Sequence, residues 1–275
     1  MGNKKKRTSK TLEERIKDRT VLENFIKEKE WSGLIDVNDL IDALKSKDEG
    51  TSQTFAEILG KEAKIHNCYR NPGCYKWWAR EDDVKDLLCK ITDEKIDFDQ
   101  IKKMKIFEHK NIAKEDFYCI YVGKANNLYD RLKDHAEKTE QSTLRRTICS
   151  LVCNDNDSLK EINNEIDRWL KKFKVQYFPL FEPEWTERKK GNYRVYYLNN
   201  TKEECSLLDL EYFFINEDFH ILNVDANHFA DYREKMGKPI NAEISYKIKD
   251  VIADLSKKKK KWPREKIIEK KNKKT

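Results

Sequence analysis

Glycine and proline are scarce in this chain, 8 and 5 of 275 residues. Tight β-turns are therefore few, which excludes an all-β sandwich and favours a helix-rich fold. No apolar run approaches the roughly 20 residues that span a bilayer, and no secretory signal is read at the start, so no membrane partner is expected. The seven cysteines, at 68, 74, 89, 119, 149, 153 and 205, are odd in number and include no CxxC pair. That pattern excludes a disulfide framework and leaves free thiols in a reducing cytoplasm as the expectation. Cys149 and Cys153 stand four apart on an expected helix, but no second pair has zinc-ligand spacing. Internal repeats, heptads, a dinucleotide fingerprint and a GxxxxGK phosphate loop are also missing. Hydrophobic residues make up 38% against 39% charged, with a mean hydropathy of −0.93. Twelve Phe, 12 Tyr and 6 Trp compensate with large apolar area per residue, enough for a core.

Charge is plentiful and unevenly placed. The net is +7, yet residues 257 to 275 alone hold 11 basic and 2 acidic residues, and residues 1 to 10 hold 5 basic and none acidic. What remains between them has 41 basic and 48 acidic residues, a net of −7. A terminal lysine-rich run has two readings: a solvated, solubilising tail, or an arm that attracts polyanions through counterion release.

Along the chain, residues 11 to 60 predict two or three amphipathic helices, with Leu12, Ile16, Val21, Phe25 and Ile26 near helical spacing and a break at Trp31-Ser-Gly. Asn71-Pro-Gly is a turn signal before the β-rich run Cys74 to Ala79, where adjacent Trp77 and Trp78 are expected to point one inward and one outward. Residues 80 to 116 are charged and partly helical. Phe117 to Val122 predicts a buried central strand, closed by Gly123 as a sharp turn, with Asn126 and Asn127 as helix N-caps. Helices follow over about 128 to 138, 142 to 153 and 159 to 173, then strands at 175 to 180 and 193 to 198, an apolar helix over 202 to 216 and a last helix before the tail. The fold class expected is α+β: a small mixed, largely antiparallel sheet flanked by helices, with helical appendages at both ends. The divisions expected are 1 to 66, 67 to 235 with an insertion at about 80 to 116, and 236 to 275.

Two features carry chemistry. In YVGKANNLYDRLKDH, residues 121 to 135, Tyr121 and Lys124 stand at the strand end, while Arg131 and His135 lie four apart on one helical face. A phenol, an ammonium, a guanidinium and an imidazole beside one strand-to-helix turn form an anion-handling set; the same spacing also suits a solvated helix edge. The second feature is Glu211, whose neighbours at i−4, i−3, i+3 and i+4 are Leu207, Leu208, Phe214 and Ile215. A carboxylate on an apolar stripe must meet a cation, hydrogen-bond donors or a metal, or else be protonated. Asp209 is expected to be solvated.

Together with Gly73-Cys74-Tyr75, these features resemble the GIY-YIG nuclease family. Gly73-Cys-Tyr75 is similar to the GIY element and Tyr121-Val-Gly123 to the YIG element. The run YVGKANNLYDRL resembles the N-terminal incision domain of the excision-repair nuclease. LEYFFINEDFHILNV, residues 210 to 224, resembles the later segment in which a metal-binding Glu precedes an Asn, here Glu211 and Asn223; Asn227 and His228 follow in an LNxxxNxH arrangement similar to the restriction-type branch. The likeness covers roughly 73 to 228. Tyr75 and Tyr121 lie further apart than the family's tyrosines, so 80 to 116 is read as an insertion between the first two strands.

The resemblance implies a metal-dependent endonuclease that hydrolyses phosphodiester bonds in double-stranded DNA. Tyr75 and Tyr121 would share base and positioning roles, with Lys124 supplying positive charge and a DNA contact. Arg131 would hold the scissile phosphate, and His135 would touch the phosphate or relay a proton. Glu211 would bind Mg²⁺, or Mn²⁺ in its place, with Asn227 in support. Arg145 and Arg146, at the start of the next helix, would track backbone phosphates. A cytoplasmic restriction or defence enzyme, working as a homodimer if it cuts both strands symmetrically, is the expected role. Repair or mobile-element nucleases of the same family, a binding module without turnover, and an RNA-associated protein acting through its tail are the alternatives.

Overall fold

The computed structural model describes residues 10–27, 31–45, 71–91, 98–137, 141–154, 157–181, 184–190, 193–199, 205–223, 227–238 and 242–260. Cys68, the last part (46 to 60) of the segment expected to be helical, and the basic tail from Lys261 lie outside them. In chain order the elements are α1 (Leu12–Lys17), α2 (Arg19–Lys27), β1 (Ile35–Asp36), α3 (Val37–Lys45), β2 (Gly73–Arg80), α4 (Glu81–Ile91), α5 (Phe98–Lys103), β3 (His109–Ile112) and β4 (Glu115–Ala125). They continue with α6 (Leu128–Glu137), α7 (Thr143–Val152), α8 (Leu159–Leu170), β5 (Lys174–Pro179), β6 (Trp185–Lys190), β7 (Tyr193–Leu198), α9 (Leu207–Glu217), α10 (Phe229–Lys235) and α11 (Ala242–Lys260).

Five strands form one sheet in the order β1-β5-β2-β4-β3, and every pairing among them is antiparallel. The α+β class holds, and the sheet is antiparallel throughout rather than mixed. β2 is central because its sequence buries on both faces: Cys74 to Ala79 are all fully buried or nearly so. Trp77 packs into the core shared with α4, α6, α7 and α8, and Trp78 into the core shared with α9 and α2. The expectation that one tryptophan faces outward is therefore corrected, since helices cover both sides of the sheet and a register shift separates the two residues. The first segment is not wholly helical either: Ile35 and Asp36 pair with Val175 and Lys174 and form an edge of the sheet.

Gly123 does not make a turn. It lies inside β4, paired with Tyr75 across the ladder. A methyl group there would sit 2.3 Å from the Tyr75 hydroxyl oxygen, so the missing side chain is what lets the phenol lie across the strand. Gly73 acts similarly, since a Cβ there would meet Leu128 Cδ1 at 2.8 Å and the Phe178 carbonyl at 2.3 Å. Its absence lets α6 begin close against the sheet. Asn127 caps that helix, its Oδ1 accepting from the Asp130 amide at 3.2 Å.

Candidate active site

β3 pairs with β4 only as far as Tyr118, so beyond that point the outer edge of β4 needs other partners. Cys119 donates its amide to the Glu108 carbonyl and Ile120 accepts from the Leu222 amide, both at 2.9 Å. The Asn223 side chain then acts as a surrogate strand, accepting from the Val122 amide and donating to the Val122 carbonyl, each at 2.8 Å. Two residues on, Glu211 Oε1 accepts from the Lys124 amide at 2.9 Å. A carboxylate from α9, on one face of the sheet, is thus held at the same strand end as the side chains of α6 from the other face.

On the α6 side, Tyr75 is the hub. Its hydroxyl oxygen accepts from Arg131 Nε at 3.1 Å and lies 2.8 Å from His135 Nε2. Tyr121 lies alongside, ring centroids 6.3 Å apart. Arg131 is further fixed by donating from Nη1 to the Gln141 carbonyl at 3.1 Å, and its Nη2 has no partner among the described residues. His135 Nδ1 lies 2.6 Å from the hydroxyl of Ser142, which is fully buried and N-caps α7 by accepting from the Arg145 amide at 3.0 Å. That hydroxyl has one proton to give, and among the described residues His135 Nδ1 is the acceptor in reach. Nδ1 is then unprotonated, the neutral ring carries its proton on Nε2, and the imidazole donates to Tyr75. Two N–H groups therefore converge on one phenol oxygen. Ser142 carries this role without any motif signal, because its partner lies seven residues back on the preceding helix.

The charges follow from burial. Tyr75 is pushed up to about 12 because desolvation outweighs the Arg131 charge and hydrogen bond. Tyr121 moves up for the same reason, reinforced by Tyr75. Burial, then the neighbouring Arg131 and Arg145, hold His135 well below its ordinary range, so it is neutral at pH 7. Burial raises Glu211 against the pull of the Lys124 charge, the Lys124 amide and the Arg131 charge. Arg131 and Glu211 are thus near enough to feel each other, and both act on Tyr75.

The apolar stripe around Glu211 is incomplete: Leu207, Phe214 and Ile215 are buried, but Leu208 is 49% exposed. Glu211 itself is half-buried, and its second oxygen has no hydrogen-bond partner among the described residues. One free, partly desolvated carboxylate oxygen suits a hard cation that keeps most of its water. No three His, Cys, Asp or Glu side chains converge on a metal position among the described residues, so other ligands would be water and phosphate oxygens.

One expected residue is placed otherwise. Arg145 is not on the surface: it is buried, donates to the Ala136 carbonyl at 3.0 Å and the His135 carbonyl at 3.4 Å, and pairs with Asp167 at 2.7 Å. It closes the C-terminal end of α6. Arg146 is half-buried, with Nη2 donating to Thr143 Oγ1 at 3.3 Å. Asn227 is buried and bonds to the Asn223 carbonyl at 2.8 Å, so it touches the site only through Asn223. Lys124 is half-buried on β4 opposite Cys74.

Comparison with curated proteins and with solved structures returned no significant match. A family model described as the GIY-YIG catalytic domain matches residues 73–238, a span that starts at Gly73, contains every side chain of the cluster and takes in more than half of the sequence. With that match added to the Tyr75 hub and the α9 carboxylate held against β4, the chain belongs to the GIY-YIG nuclease family.

Proposed function

We propose that the chain is a divalent-metal-dependent endonuclease that hydrolyses phosphodiester bonds in double-stranded DNA. The observation that carries this reading is the Tyr75 hydroxyl bracketed by Arg131 and His135 beside the free oxygen of Glu211. A water attacking phosphorus must lose a proton, and the phosphoryl oxygens must be neutralised as the transition state forms. Tyr75, as phenolate, takes that proton. The two N–H donors on its oxygen stabilise the anion that burial disfavours. Arg131 offers Nη2 to the scissile phosphate while its other donors keep it in place. His135, neutral, holds the phenol oxygen in line, and Tyr121 packs the phenol from the side. Glu211 would hold Mg²⁺ or Mn²⁺, which when bound supplies charge to the phosphate and the departing oxygen.

A stand-alone cutter of restriction or defence type is the role favoured by the Asn223 and Asn227-His228 arrangement and by the extra segments on both sides of the matched region. One such site per chain cutting both strands symmetrically would need two copies.

The test is cleavage of supercoiled plasmid with Mg²⁺ by wild type, Arg131→Ala and Glu211→Ala. Wild type is expected to linearise the plasmid, and each variant to lose about 10²-fold or more of the rate. Full activity in both variants removes the mechanism. Binding without cleavage by wild type, over a range of Mg²⁺ and Mn²⁺, replaces the enzyme with a binding module.

A further inference from the structure

β6 and β7 stand apart from the five-stranded sheet as a two-stranded antiparallel ribbon, running from the pair Trp185 and Leu198 to the pair Lys190 and Tyr193. Its sequence holds four basic residues, Arg188, Lys189, Lys190 and Arg194, against one acidic, Glu187, inside a stretch that is net acidic. The ribbon is graded along its length. At the base, Trp185, Tyr196 and Leu198 pack with Cys205, Leu207 and Leu210, and the Trp185 and Tyr196 rings lie 5.1 Å apart. The Leu198 amide donates to the Cys205 carbonyl at 2.8 Å. Further out, Arg188, Lys189 and Arg194 are exposed. Lys189 and Arg194 are register partners, and Arg188 extends over the Tyr197 ring at 4.8 Å. The Arg194 contact to Glu187, at 3.4 Å between an exposed guanidinium and a half-buried carboxylate that also accepts from the Tyr196 hydroxyl, is of the weak kind that a phosphate displaces.

A lone two-stranded hairpin is marginal in water, so the packed base is what anchors this one to α9. Its six paired positions span roughly 20 Å at about 3.4 Å each. The base is coupled to the active site, because Tyr197 bridges to Ser206, which caps α9. Glu211 lies five residues into that helix, about 7.5 Å along its axis.

From this we infer that the β6–β7 ribbon is a duplex-gripping element that enters the major groove of B-form DNA while the scissile phosphate sits at Tyr75 and Glu211. The B-DNA major groove, about 12 Å wide, admits a two-stranded ribbon. The deep, narrow major groove of A-form RNA does not. The inference rests on the nuclease reading for its orientation and commits it to duplex DNA over duplex RNA.

The experiment is equilibrium binding of the full-length chain in EDTA to a mixed-sequence DNA duplex and to an RNA duplex of the same sequence, across a salt series. Wild type is compared with Arg188→Ala/Lys189→Ala/Arg194→Ala and with Lys160→Ala/Lys171→Ala/Lys238→Ala, which removes equal charge from exposed positions elsewhere. The ribbon variant is expected to lose about 10-fold or more in DNA affinity, and its log–log salt slope to flatten by about 2 to 3. RNA affinity should stay level with the control variant. Equal effects in the two variants, or a matching loss on RNA, overturn the inference. Ribbon-dependent DNA binding by a chain that never cuts would sink the nuclease reading and leave the ribbon standing. Cutting by a chain whose binding ignores the ribbon does the reverse.

Discussion

A phenol that must act as a base near pH 7 carries an energetic handicap, and at Tyr75 burial enlarges it. With the group raised to about 12, roughly one molecule in 10⁵ holds the phenolate at pH 7, and each pH unit brings tenfold more. The cleavage rate at saturating Mg²⁺ and DNA is therefore expected to climb about tenfold per unit from about pH 6 to 9, with no plateau. Tyr75→Phe should be slower by about 10²- to 10⁴-fold and lack the slope. Ser142→Ala should keep the slope and KM but lower kcat, because the imidazole is no longer held in the tautomer that donates to Tyr75. A merely structural loss at Ser142 would lower the melting temperature and leave kcat untouched. A wild-type rate that is flat over this range would rule out the phenolate. Tyr75, Arg131 and His135 were legible in the sequence because a motif and an i,i+4 spacing mark them. Ser142 was not, since nothing local distinguishes a helix-capping serine from one that also orients an imidazole.

Helices read one at a time show which face is apolar but not which charge meets which. Asp209 illustrates this. Taken alone on α9 it belongs on the solvated face, yet it is buried, completing a capping box with Ser206 and pairing with Arg15 at 3.0 Å and Lys10 at 3.5 Å. Those cations come from the far end of the chain, where Arg15 also lies over the Tyr212 ring at 4.3 Å. The start of the chain thus braces the helix that carries Glu211. Asp209→Ala removes both the box and the ion pairs and should destabilise the fold by about 2 to 3 kcal/mol, a fall in melting temperature of several degrees. Asp209→Asn, which keeps a capping side chain, should cost less. Equal melting temperatures for wild type and Asp209→Ala would separate the first helices from α9. Strands show the same limit. Phe117 to Val122 announces itself as a buried run, whereas Trp185 to Lys190 carries a run of four charged residues after Thr186 and has no fully buried residue among 185 to 189, so its ladder with 193 to 198 is set by the partner and not by its own pattern. Gly123 departs from its expected turn for a related reason: a glycine at a strand end suggests a turn, and only the position of Tyr75 across the ladder reveals a steric need.

Over the whole molecule, positive charge is concentrated at two ends and one ribbon of an otherwise acidic body. That layout separates two ways of holding a polyanion. The ribbon is anchored at its base on the start of α9, while residues 261 to 275 add seven basic and two acidic residues with no sequence-reading pattern. Counterion release from such a run strengthens binding to any nucleic acid and steepens its salt dependence without choosing a position on it. Removing residues 261 to 275 should therefore weaken DNA and RNA binding by similar factors and flatten the salt slope. At saturating DNA the cleavage rate and the positions cut, read by sequencing the product ends, should be those of the full-length chain, because every residue that brackets Tyr75 lies before 143 and Glu211 is held by β4. Loss of all binding would make the tail the principal contact and favour the RNA-associated alternative. Loss of cleavage with binding intact would place part of the tail within the site, a contact that neither the β4 edge nor the Tyr75 hub requires.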